Sequence, residues 1–123
     1  MSDHRSLAYL ATPYSKYPGG LDKAFVDAAR LAGLLLKTGV IVYSPIAHTH
    51  PIAVHSALDP LDHDIWLPFD EAMMARCSCL IVAMMDGWRD SRGIAHEIEV
   101  FKKAEKPIFH LDPKSLSMSR TFL

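Results

Sequence analysis

Residues 79–103 read CLIVAMMDGWRDSRGIAHEIEVFKK, and this stretch decides the fold. It opens with a continuous apolar run, Cys79 to Met84, of strand length and without polar alternation. A strand that is apolar at every position is covered on both faces, as in a parallel sheet. Met85 to Ser91 reads as a loop around Gly87 and Trp88. Ser91 can cap a helix that runs from Arg92 to about Lys103, where Ile94, Ile98 and Phe101 return at helical spacing.

The same alternation extends in both directions. Upstream, Leu7 to Ala11 is a short apolar strand ending at Thr12-Pro13, and Pro18-Gly19-Gly20 marks a loop. Leu21, Ala24, Phe25, Ala28, Leu35 and Leu36 then predict a helix that Lys37 closes and Gly39 stops. Val40 to Tyr43 is a second strand. Residues 45–62, which hold His48, His50, His55 and three prolines, are expected to form a long functional loop. Residues 62–76 read as helix. Pro68 suits a first turn, so the regular part is expected from near Leu67, with Asp70 and Glu71 serving the dipole. Pro107 to Leu111 is a fourth strand, and residues 112–123 read as a polar tail, either frayed or in contact with a partner subunit. Strand and helix alternate throughout. The expected fold is α/β, a single-domain doubly wound sheet of four to five mostly parallel strands, flavodoxin/Rossmann-like.

Composition narrows the function classes. The chain has 123 residues, 50% hydrophobic and 22% charged, enough for one packed domain. A net charge of −1 gives no basic surface for a nucleic-acid polymer. No apolar run reaches membrane-spanning length, and the polar start Met-Ser-Asp-His-Arg shows no signal peptide. Two cysteines, Cys77 and Cys79, read as reduced packing residues of a cytoplasmic protein. No cofactor is expected.

Ligands of such sheets bind outside the carboxyl ends of the strands, which directs attention to Thr12–Gly20, residues 44–62, Met85–Arg92 and the tail. Glu97 is the most informative single residue. With Ile94 at zero on a wheel of about 100° per residue, Phe101 falls near 340°, Val100 near 240° and Ile98 near 40°. Glu97 falls near 300°, inside that apolar arc. A carboxylate there is either paired or kept for chemistry, because an unpaired buried charge is costly. Asp86 follows the third strand and is a candidate ligand contact or a turn residue. Trp88 can stack on a base or close the loop. Thr12, Pro13, Tyr14 and Ser15 occupy the first βα loop, where backbone N–H groups can cradle an anion. His48 and His50 are candidates for hydrogen bonds to sugar or phosphate. With His55 and His63 they also raise a metal-dependent hydrolase, although their spacing matches no helix-borne ligand pair.

Tyr9 on the first strand, Asp70 ahead of the third, and Ser91-x-Gly93-x-x-x-Glu97 opening the last helix together resemble the nucleoside 2-deoxyribosyltransferase family. They also resemble its relatives, the 2'-deoxynucleoside 5'-monophosphate N-glycosidases. Asp86-Gly87-Trp88 and the Ser44 to Ile52 stretch are similar to a small branch of that superfamily. The resemblance implies that Glu97 is the nucleophile, that Tyr9 orients it, and that Asp70 serves the leaving base or the sugar. It implies a substrate-binding role for Ser91 and Gly93. Serine at position 91 leaves room for a phosphate, whereas the first loop lacks the arginines that bind phosphate in the hydrolases. It further implies a homodimer or higher homo-oligomer. The expected activity is cleavage of the N-glycosidic bond of a nucleoside or (deoxy)nucleoside 5'-monophosphate, by hydrolysis or base transfer. The competing expectation is a non-catalytic nucleotide or nucleotide-sugar binding module, since fold alone does not settle function.

Overall fold

The computed structural model describes residues 6–121. The polar N-terminal residues 1–5 and Phe122-Leu123 lie outside them. The elements in chain order are β1 (Ala8–Ala11), α1 (Leu21–Lys37), β2 (Val42–Tyr43), α2 (Pro45–Ser56), α3 (His63–Arg76), β3 (Cys79–Ala83), a short 3-10 turn (Trp88–Asp90), α4 (Arg92–Lys103), β4 (Ile108–Leu111) and β5 (Met118–Thr121). The sheet order is β2-β1-β3-β4-β5. The first four strands are parallel and β5 joins the edge antiparallel, with Ile108 opposite Thr121. This is the α/β doubly wound arrangement in flavodoxin-like order.

Side-chain alternation along the strands builds two cores. Tyr9, Ala11, Leu80, Val82 and Ile108 point to the face covered by Met74 of α3 and by Ile94 and Phe101 of α4. Ala8, Leu10, Ile81, Ala83 and Leu111 point to the opposite face, against Leu31 and Leu35 of α1. Apolar burial of this kind contributes about 25 cal/mol per Å² and drives the assembly. Gly39 (φ 92°), just after the end of α1, takes a left-handed backbone that any larger residue would strain.

Three expectations need correction. The segment expected as a loop after Ser44 is the helix α2. Pro45 sits in its first turn and Ser44 caps it, its Oγ accepting from the Ala47 N–H at 3.2 Å. Pro51 lies inside the helix and forgoes one backbone hydrogen bond, so prolines that look like loop punctuation are one cap signal and one tolerated interruption. Second, α3 begins at His63, capped by Asp62, and Pro68 falls inside it. Asp70 and Glu71 therefore lie beyond the first turn, and the helix dipole does not explain them. Third, the chain after Leu111 is not a frayed tail as far as Thr121. Asp112 accepts from the Lys114 N–H at 2.8 Å and turns the chain back into β5, where Thr121 reaches the His110 ring.

Candidate active site

Strand β1, inside the sheet, carries Tyr9 with no solvent exposure (0%) into the face beneath α3 and α4. Its ring lies 5.7 Å from Tyr43 of β2 and 5.9 Å from Phe101 of α4. Asp70 arrives on α3 and Glu97 on α4, and both interact electrostatically with the Tyr9 hydroxyl. The three residues of the proposed catalytic set are thus brought together by three different elements. Enclosure pushes Glu97 up to about 8; the nearby Tyr9 hydroxyl pulls it partly back and the Asp70 charge adds to the rise. Asp70 is pushed up to about 6, again chiefly by enclosure, with His96 opposing. Tyr9 and Tyr43 are both shifted upward, first by burial, then Tyr9 by Glu97 and Asp70 and Tyr43 by Asp70.

Polar atoms without partners mark the place more sharply than volume does. Tyr9 Oη, Tyr43 Oη, Asp70 Oδ1 and Thr12 Oγ1 are buried and make no hydrogen bond. Buried polar groups are almost always bonded, so four such atoms, three of them on mutually interacting side chains, make an uncommon polar cluster with hydrogen-bonding capacity to offer a ligand. The Tyr9 hydroxyl feels Glu97 strongly yet closes no hydrogen bond of ordinary geometry, so we read the two as coupled but not bonded. Glu97 as a whole residue is only partly covered, while its carboxyl is enclosed. Its position in the apolar arc follows from α4, whose Ile94 and Phe101 are buried on the same side.

The remaining expected residues distribute around this center. Ser91 caps α4, its Oγ accepting from the Ile94 N–H at 3.2 Å, which leaves its own O–H free to donate. Gly93 follows in the first turn, and a Cβ there would meet only the Ser91 hydroxyl, at 3.8 Å. Thr12 and Pro13 are buried at the carboxyl end of β1, and Tyr14 and the exposed Ser15 continue the loop. His48 leaves α2 toward Tyr43, with ring centroids 5.9 Å apart, and stacks on Phe69 of α3 at 5.5 Å. His50 leaves α2 toward α1 instead, where it meets Asp22, Phe25 and Tyr14.

Two candidates fall elsewhere. Asp86 lines a groove of about 570 Å³ together with Tyr17, Asp27, Arg30, Met85 and Lys114, none of which belongs to the Tyr9–Asp70–Glu97 group. Trp88 packs against the core, edge-on to His110 at 5.4 Å and under Arg89 at 5.2 Å, so its ring is occupied by protein contacts. Among the described residues no three His, Cys, Asp or Glu side chains form a group that could hold a metal ion. His48 and His50 point to different neighbors, so the histidine-rich segment does not build the cluster that its sequence raised. Sequence reasoning missed Tyr43, Phe69 and His96. His96, at 3.3 Å from Glu71, was hidden because it contacts α3 from α4, a long-range relation.

Fold and site together define a single-domain α/β protein of the doubly wound type, with two enclosed carboxyls and two buried tyrosine hydroxyls on one face. Residues 6–112 match the family described as Domain of unknown function (DUF1937), and the chain belongs to that family. No curated protein matches the chain. Among the described residues no helix is long and apolar enough to cross a membrane.

Proposed function

We propose that this protein cleaves the N-glycosidic bond of a nucleoside or (deoxy)nucleoside 5'-monophosphate, with Glu97 as nucleophile, Asp70 as acid and Tyr9 as the residue that orients Glu97. The observation that carries the reading is the pair of raised carboxyls, at about 6 and about 8, among unpartnered buried hydroxyls. Between those two values the pair holds one proton, which belongs to the coupled pair. The higher value of Glu97 places that proton on Glu97 at rest; the reactive arrangement is the reverse one, with Glu97 ionised and the proton on Asp70. The Glu97 carboxylate attacks C1' as the bond from C1' to the base breaks, and the departing nitrogen takes the electron pair and the Asp70 proton. Water then hydrolyses the glycosyl ester and restores Glu97, or a second base attacks C1' in place of water. The Tyr9 hydroxyl lowers the Glu97 pKa against the effect of burial and so favors the ionised form.

The same proposal takes the protein as a cytoplasmic homodimer or higher homo-oligomer. Both cysteines are free, and α3 fully buries only Met74 while Leu61 and Ile65 near its start are 44% and 37% exposed. The decisive experiment incubates the protein with deoxy- and ribonucleosides and their 5'-monophosphates and follows free base by chromatography, with Glu97→Ala as control. Base release that disappears in the variant is the expected result. No release from any substrate, with or without an acceptor base, would sink the reading in favor of the binding module.

A further inference from the structure

The glycosidic reading leaves the buried imidazole of His50 without a task. His50 is 5% exposed and is held at both ring nitrogens. Nε2 lies 2.8 Å from Asp22 Oδ1 on α1, and Nδ1 lies 2.6 Å from the Tyr14 hydroxyl on the loop after β1. Phe25 of α1 stacks on the imidazole at 4.9 Å. Asp22 and Tyr14 are thus the titratable groups that contact the ring from the elements around it. The direction of this chain follows from valence. A carboxylate only accepts, so Nε2 carries the hydrogen. A neutral imidazole then offers a bare Nδ1, and Tyr14 must donate to it. The Tyr14 oxygen, with its proton committed to His50, presents only lone pairs to anything that approaches.

Tyr14 stands two residues beyond Thr12, whose buried hydroxyl has no partner, on the segment leaving the carboxyl end of β1. That is where ligands of doubly wound sheets bind. Asp22, 94% exposed, adds a negative charge beside it. Burial and that charge push Tyr14 up to about 12, so the phenol keeps its proton at neutral pH. A phosphate ester brings acceptors and negative charge to a place that offers the same. A sugar hydroxyl brings the donor that the Tyr14 oxygen lacks.

We propose that the Asp22–His50–Tyr14 chain is a specificity device that fixes the Tyr14 oxygen as an acceptor for a sugar hydroxyl and discriminates against a phosphate ester there. The proposal rests on the glycosidic reading and narrows its substrate to the nucleoside. Tyr14 makes the contact; His50 and Asp22 are positioning residues that act through it. It opposes what Ser91 alone implies, so a substrate ratio separates the two.

The first test needs no substrate. Nitrogen-15 NMR of His50 at neutral pH is expected to show Nε2–H and a bare Nδ1; a protonated Nδ1 overturns the proposal. The second compares kcat/KM for a deoxynucleoside and its 5'-monophosphate. Wild type is expected to favor the nucleoside. Tyr14→Phe should lower the nucleoside value about tenfold, mainly through KM, and raise the monophosphate value, because the lone pairs that oppose the phosphate are gone. Asp22→Asn, at an exposed position in the first turn of α1, should narrow the ratio about threefold by letting the ring reverse its tautomer. A wild type that favors the monophosphate, or a ratio unmoved in both variants, overturns the device. Loss of base release in Glu97→Ala tests the reaction separately. If wild type cleaves neither substrate, calorimetric binding of the same two compounds decides. Tighter nucleoside binding that Tyr14→Phe equalises supports the device, and equal, reversed or absent binding refutes it.

Discussion

The two faces of the sheet handle their acids in opposite ways. On the α1 face, Asp27 accepts from Lys23 Nζ and from Tyr17 Oη, each at 2.8 Å, and these bonds hold it below the usual carboxylate range. On the α3–α4 face, Asp70 has a buried oxygen with no partner, and Asp70 and Glu97 are both driven upward. The α1 face also has the groove of about 570 Å³. Volume and chemistry therefore part company: the open groove borders a satisfied carboxylate, and the unsatisfied groups sit under the helices of the other face. A fold keeps unpaired buried acids at a cost to its stability, and perturbed carboxyls of this kind gather at functional sites.

The comparison breaks most decisively at Glu97. Glu97→Gln should lower base release about a thousandfold or more, because the nucleophile is lost. The same variant should gain stability. The folded pKa of Glu97 is raised, so wild-type stability falls as pH rises from about 4.5 to about 8 and then levels. The thermal advantage of Glu97→Gln should grow across that window and stay constant above it. A variant less stable than wild type at pH 9 would show that Glu97 is a structural partner instead.

Asp70→Asn comes next. We expect a loss of about 10²- to 10⁴-fold in kcat/KM, the usual span for a general acid. Wild type should give a bell-shaped profile with limbs near 6 and 8, and the variant should lose one limb. A flat wild-type profile between pH 5 and 9 would remove the paired-carboxyl mechanism. The smallest effect belongs to the other face. Asp27→Asn should leave base release unchanged and cost no more than about 1 kcal/mol, as for a partly exposed ion pair. Its folded pKa is lowered from 3.8, so the stability it supplies is present above that pH and is lost as the pH falls through the folded value. Acid titration of the Tm difference checks this.

Much of this arrangement is legible in the chain because it is local. Cys79 to Lys103 predicts strand, loop, cap and helix, and α4 begins and ends where Ser91 and Lys103 indicate. Glu97 stands out because a single helical wheel suffices to place it. Residues 45–56 mislead because proline and histidine carry weak local preferences, and the packing of α2 against α1 overrides them. β5 is missed because Met118–Thr121 is short and polar, and it is a strand only through its pairing with β4. The union of Tyr9, Tyr43 and Asp70 is likewise long-range. The first-turn explanation for Asp70 fails for want of the true helix start, four residues before the one expected near Leu67.

α3 buries one side chain fully and is tied down at its far end by Lys106 Nζ, which donates to the carbonyls of Met74 and Ala75 at 3.2 and 3.1 Å. It is accordingly the helix whose amides should exchange with deuterium soonest, while those of β1 and β3 persist. Asp70 rides on this helix and Glu97 on its better-anchored neighbor, so a local opening of α3 would part the two proposed catalytic carboxyls without unfolding the domain. Lys106→Ala should speed exchange along residues 63–76 and leave β3 protected. Equal acceleration in both would mean that α3 opens only when the whole domain does.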